Sequence, residues 1–151
     1  MGHCFVSFSV NLTLILQLAC AKIDDVGVHT IGGAVASIVD DIRVHIVSGV
    51  PSNPTPLWAR CRSKDDDIGM HKLNNGESFS WKFSMNFFET TLFFCHFYWG
   101  SHTNIFTVFD RGLYEKCDHG TPHYDCFWVV RPDGFYFNND NKSWEKMYDW
   151  S

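Results

Sequence analysis

The sequence predicts an all-β fold, a small antiparallel β-sandwich of about seven strands stapled by two disulfides. Three observations predict it. Aromatic residues make up 17% of the chain, with 14 Phe and 6 Trp, and such side chains fit a pleated, half-buried surface. Short runs of alternating polar and apolar residues recur along the chain, separated by Gly, Pro and Asn turn signals. Four cysteines, Cys61, Cys95, Cys117 and Cys126, remain once residues 1–21 are set aside. That even number reads as two bridges in an oxidising compartment.

The chain of 151 residues has room for one domain, and 45% hydrophobic residues suffice for a real core. A net charge of −5, without any run of Lys or Arg, argues against nucleic acid or a membrane surface as partner, since both require a basic stripe. Residues 1–21 contain no Lys, Arg, Asp or Glu, and the run around Leu12, Leu14, Ile15, Leu16 and Leu18 ends in Ala19-Cys20-Ala21. An apolar stretch closed by small residues is the form of a cleaved signal peptide. Ser7, Ser9, Asn11, Thr13 and Gln17 dilute it, which disfavours a membrane anchor. Cleavage would also remove Cys4 and Cys20. Residues 22–42 form an amino-terminal arm, and the β pattern begins at residue 43.

The elements follow in order. Arg43-Val44-His45-Ile46-Val47 alternates as a strand with one face inward must. Gly49, Pro51, Pro54 and Pro56 then stop regular structure. Residues 57–62 are a second strand carrying Cys61. Residues 63–77 are polar and read as a loop, with Asn74-Asn75-Gly76 as a turn signal. In 78–84, Phe79, Trp81 and Phe83 share one face. Residues 91–99 are apolar on both faces apart from His96, as in a central strand covered on both sides. Residues 104–109, 125–131 and 134–137 supply three more strands, the last two joined at Pro132-Asp133 with Gly134 as the bend. No segment has the period of an amphipathic helix. So many two-sided aromatic strands require two packed sheets.

Several motifs could carry chemistry. Lys64-Asp65-Asp66-Asp67 offers carboxylates to calcium but lacks the ligand spacing of a known loop, and reads better as a solvated turn. The stretch from Cys117 to Cys126 also holds His119 and His123, yet its spacing matches no usual zinc form and secretion would oxidise the thiols. It reads as an exposed loop pinned by disulfides. No Gly-x-Ser-x-Gly, His-Glu-x-x-His or phosphate-cradling loop occurs, so neither an enzyme nor a cofactor is expected. Asn141-Lys142-Ser143 is an N-glycosylation acceptor. The aromatic residues Phe79, Trp81, Phe83, Phe93, Trp99 and Trp128 could form a stacking platform for sugars, but their patterning is that of a core.

An ordered set of stretches resembles the plant self-incompatibility S-protein homologue family. They are Cys61-Arg62-Ser63-Lys64-Asp65-Asp66-Asp67-Ile68-Gly69, Phe79-Ser80-Trp81-Lys82-Phe83 and Thr91-Leu92-Phe93-Phe94-Cys95. Cys117, Asp125-Cys126-Phe127-Trp128, Asp133-Gly134-Phe135-Tyr136 and Tyr148-Asp149-Trp150 follow. Any one piece is weak; the ordered set, with all four cysteines, is specific. Ser48 stands where the family usually has Asn. The resemblance implies a secreted β-sandwich with two intramolecular disulfides and, in the best-known members, a ligand recognised by a cell-surface protein.

The expectation is therefore a monomeric, secreted, non-enzymatic recognition protein of the apoplast, with no stable membrane insertion after signal cleavage, that binds a cell-surface receptor. Function should lie in loops on a rigid scaffold, here 63–77 and 110–125. Lys64, Asp65, Asp66, Asp67, Asp118, His119 and His123 are the candidate contacts. Three disulfide pairings are open; the preferred one is Cys61–Cys126 with Cys95–Cys117, because Cys117–Cys126 would close only a small loop. The rival function is a carbohydrate-binding module at the cell wall, which requires an exposed aromatic pair on one sheet face.

Overall fold

In the computed structural model, residues 30–31, 34–35, 41–117, 123–140 and 142–151 are described. The expected signal segment lies outside them. The chain divides into two units, Met1–Ile38 and Val39–Ser151. In the first, β1 (Thr30–Ile31) and β2 (Ala34–Val35) pair as a short antiparallel hairpin.

The second unit is the sandwich. Its strands are β3 (Asp41–Ser48), β4 (Leu57–Arg62), β5 (Asp67–Leu73), β6 (Ser78–Phe83), β7 (Phe93–Trp99) and β8 (His102–Phe109). A helix, α1 (Arg111–Cys117), precedes β9 (His123–Arg131), β10 (Gly134–Asn138) and β11 (Glu145–Tyr148). They form a five-stranded sheet in the order β11-β10-β9-β3-β6 and a four-stranded sheet in the order β5-β4-β7-β8. The expected antiparallel pairing holds throughout with one exception: β3 and β9 are parallel, Asp41 opposite His123 through Ser48 opposite Val130. Parallel neighbours need a long crossover, and here the chain visits the whole four-stranded sheet between them.

Period-two patterning places the core between the sheets. Ile42, Val44 and Ile46 of β3, Leu57 and Ala59 of β4, Phe97 of β7 and Trp128 and Val130 of β9 are fully buried. Each large apolar side chain taken from water contributes roughly 1.5–3 kcal/mol. Rings interlock across the interface: Phe83 lies 4.6 Å from Phe93 and 4.8 Å from Phe109, and Phe97 lies 5.0 Å from Phe135. Trp128 donates its indole N–H to the Val108 carbonyl at 2.9 Å, a buried hydrogen bond between the two sheets. Of the aromatic residues expected inside, Trp81, Phe93 and Trp128 are buried, while Phe79, Phe83 and Trp99 pack against the core half-buried. Ser48, at the end of β3, is buried at 1% exposure, and its hydroxyl has no hydrogen-bond partner among the described residues.

Four expectations need correction. All four cysteines are bridged, but as Cys61–Cys95 and Cys117–Cys126. Cys61 and Cys95 face each other across β4 and β7 with Cα atoms 4.1 Å apart, whereas Cys126 sits in the other sheet. The α1 helix brings Cys117 back to within 5.3 Å of Cys126, so a separation of 9 residues suffices. Second, 63–77 is not all loop: β5 runs through it as an edge strand, its register shifting opposite Cys61 and Arg62 beside Gly69, whose φ is +89°. An edge strand tolerates the polar residues that hide it in the sequence. Third, α1 exists. It has seven residues with only Leu113 and Cys117 buried, too short for a periodic signal, and it is capped by Asp110, whose carboxylate accepts from Leu113 N–H at 2.9 Å. Fourth, β7 is covered on one side only, since Phe94, His96 and Tyr98 on its outer face are partly exposed.

Candidate functional site

Register fixes which loops share an end. Arg62, where β4 stops, pairs with Phe94 near the start of β7, and Phe93 pairs with Phe109 at the end of β8. In the other sheet Ile42, near the start of β3, pairs with Phe83 at the end of β6 and with Tyr124 near the start of β9. Phe83 touches both Phe93 and Phe109. The β4–β5 turn, the β6–β7 loop and the α1 connection therefore all leave from one end of the sandwich. A rigid scaffold with clustered connections is the usual place for recognition.

Each connection is built differently. In the β4–β5 turn, the Ser63 hydroxyl accepts from Asp65 N–H at 3.2 Å and Asp66 N–H at 2.9 Å, and Ser63 N–H donates to the Asp66 carbonyl. Lys64, Asp65 and Asp66 are exposed. Asp67 has a different task. Arg60 bonds it at 2.5 Å, and Gly69 N–H donates to it at 2.9 Å, so its carboxyl is held below the ordinary value near 3.8. The run is a tight turn held by the Ser63 side chain and backbone, with Lys64, Asp65 and Asp66 exposed.

The β6–β7 loop was not singled out by sequence. Asn86 closes it locally: its side-chain oxygen accepts from Thr90 N–H at 2.7 Å, and its backbone N–H donates to Thr91 Oγ1 at 2.9 Å. An ion pair joins Glu89 to Arg111 at the start of α1. At the loop's tip Phe87 is 94% exposed and Phe88 79%, their rings edge-to-face at 5.4 Å. Two adjacent Phe outside any alternating run were the available signal.

Across β3, β6 and β9 lies a charged recess of about 310 Å³ lined by Asp41, Arg43, Lys82, His123 and Asp125. Lys82 bonds Asp41 at 2.6 Å and holds its carboxyl below the ordinary range. His123 stands at the mouth, with its ring nitrogen 3.8 Å from Asp41. His45 donates to Asp125 at 2.7 Å and stacks on Phe127 at 4.3 Å. Ser80 faces His45 across the β3–β6 register, but no hydrogen bond joins them among the described residues. Of the remaining candidates, Asp118, His119 and Asn141 lie outside the described residues. The N–H groups of Lys142 and Ser143, the latter closing the glycosylation acceptor, both donate to Asp140.

The structure thus brings the two expected regions to one end but hangs them from different sheets. The Lys64–Asp66 turn joins β4 and β5 of the four-stranded sheet, and His123 starts β9 of the five-stranded one.

Comparison with known proteins places this geometry. The sequence pattern of the family described as plant self-incompatibility protein S1 matches residues 43–150. S-protein homolog 29 of Arabidopsis thaliana is 37% identical over 102 residues, which cover 66% of this chain and 71% of that one. S-protein homolog 24 from the same plant is 33% identical over 117 residues, covering 74% and 73%. S-protein homolog 1 is 28% identical over 139 residues, covering 91% and 89%. A solved structure of the self-incompatibility protein homologues, described as a widespread family of small, highly stable, secreted proteins from plants, superposes with a TM-score of 0.56. It covers 74% of this chain and 96% of its own at 20% identity, a likeness of fold.

Proposed function

The chain belongs to the plant self-incompatibility protein S1 family, whose pattern spans residues 43–150, and from that premise we propose that it is an extracellular recognition protein whose loop end binds a cell-surface protein without chemistry. The observation that carries this reading is the Phe87–Phe88 tip, 94% and 79% exposed, on a loop tied to α1 through Glu89 and Arg111. Large exposed aromatic residues on a held loop have the character of interface anchors. Lys64, Asp65 and Asp66 at the same end supply a charged rim, which steers encounter more than it adds affinity. Residues 1–21 direct secretion to the apoplast, Asn141 carries a glycan, and the protein acts as a monomer with no cofactor. Asp118, His119 and His123 are further candidate contacts for the same partner.

The test uses plant protoplasts, which lack a wall, and fluorescently labelled protein. Saturable binding that is lost after protease treatment of the cells is expected. It should fall at least about tenfold with Phe87→Ser and Phe88→Ser together, and less when Lys64, Asp65 and Asp66 are reversed in charge. Equal binding by the native protein and by a variant carrying all five changes would overturn the reading.

A further inference from the structure

The outer face of the four-stranded sheet is a second surface, independent of the loop end. Three cross-strand rows compose it. Lys72, Trp58, Tyr98 and Thr103 form the first, and Met70, Arg60, His96 and Ile105 the second. Arg62, Phe94 and Thr107 form the third. Such rows repeat about 6.7 Å along a strand, and neighbours stand about 4.8 Å apart across strands. Trp58 is 41% exposed, Met70 48% and Ile105 52%. Tyr98 stacks on His96 at 4.3 Å, with its hydroxyl and His96 Nδ1 hydrogen-bonded at 2.8 Å, so its ring is held in place. The Arg62 guanidinium lies 5.2 Å over the Phe94 ring, and Arg60 is oriented by Asp67.

Charge is the second feature. The whole chain is acidic at −5, yet this face presents Arg60, Arg62 and Lys72 against the single carboxylate of Asp67, which Arg60 already engages. That balance of charge favours an anionic ligand. Shape is the third. The recesses at Asp41 and His123 and at Trp99 and His102 both lie off this face. The face itself is a pleated surface of cross-strand rows, which suits an extended ligand more than the deep anchor side chain that protein partners usually insert. Flat rings alternating with cations match a polymer that itself alternates flat ring faces with carboxylates.

We propose that the outer face of the four-stranded sheet binds an acidic polysaccharide, a chain of uronic-acid residues. Sugar rings lie on Trp58 and Tyr98, and carboxylates pair with Arg60, Arg62 and Lys72.

The experiment is isothermal titration of the full secreted protein with oligogalacturonic acid, beside its methyl-esterified form of equal length. The acid should bind and weaken with added salt, and the ester should bind at least about tenfold more weakly. Trp58→Ala and, separately, Arg62→Gln should each weaken the acid by about tenfold, with a cooperative unfolding transition retained. Phe87→Ser with Phe88→Ser should leave this binding unchanged, which separates it from binding at the loop end. No binding of the acid, equal binding of acid and ester, or indifference to both face variants would overturn the proposal. So would a dimer in light scattering that Trp58→Ala dissolves, since the face would then be a contact between copies of this chain.

Discussion

On the outer face of the five-stranded sheet, charges find partners within the sheet. Lys82 holds Asp41, His45 holds Asp125 and stacks on Phe127, and Arg131 lies 4.5 Å over the Tyr136 ring. On the outer face of the four-stranded sheet, Trp58, Met70 and Ile105 stand open beside Arg62 and Lys72. The inner faces do the same work in both, since each contributes fully buried aliphatic and aromatic residues to one core. The difference teaches that folding requires the inner faces only. The outer faces are free to diverge, one towards self-satisfied ion pairs and the other towards surface that a ligand can use.

The disulfides test that comparison with the largest expected effects. Cys61–Cys95 closes 34 residues inside the four-stranded sheet, and Cys117–Cys126 closes 9 between α1 and the five-stranded sheet. Loop-closure entropy gives about 3.8 kcal/mol for the first and about 2.6 kcal/mol for the second. Denaturant unfolding of the paired Cys→Ala variants should show that order, and the reverse order would mean that the α1 staple carries the fold. Next comes Gly134 in the five-stranded sheet. Its φ is +142°, and an added Cβ would run into the Tyr148 carbonyl and the Lys146 side chain. Gly134→Ala should cost about 2–3 kcal/mol. Gly76→Ala in the Asn-Gly turn, with φ +83° but open space around it, should cost only about 1 kcal/mol.

Smaller effects address the outer faces directly. His45→Ala removes a stacked, hydrogen-bonded ring and should cost about 1 kcal/mol, whereas Ile105→Thr on the open face should change stability by less than about 0.5 kcal/mol. Thermal unfolding of the two variants checks this, and equal losses would erase the contrast. The smallest effect is Asp67→Asn. Because Arg60 and Gly69 N–H hold the Asp67 carboxyl below its ordinary value near 3.8, its stabilisation is present above that pH. It is lost as pH falls through the lowered folded value. Acid titration should therefore show native protein and variant differing above 3.8 and converging below it.

The alternation in 43–47 and in Phe79, Trp81 and Phe83 was legible because one buried face imposes period two on the sequence. Residues 57–62 were legible only as a strand carrying Cys61; that Leu57, Ala59 and Cys61 face inward and Trp58, Arg60 and Arg62 outward is shown by the structure. What stayed hidden were elements whose stability comes from neighbours. β5 is polar and needs β4 beside it, and α1 is seven residues held by a cap and a disulfide. β11 shows little periodicity and is fixed by pairing with β10 across a bulge. The cysteine pairing was misjudged because chain separation says nothing about which strands adjoin. The loop end was legible in part. Lys64, Asp65 and Asp66 announced themselves by charge, while Phe87 and Phe88 resembled the many core aromatic residues around them.

The most direct test of recognition at the loop end is a photo-crosslinking side chain placed at Phe88, compared with the same group at Ser80, which is exposed on the outer face of the five-stranded sheet. On protoplasts, position 88 should yield a discrete, protease-sensitive crosslinked protein and position 80 none. Equal products from both positions, or none from position 88, would contradict the account.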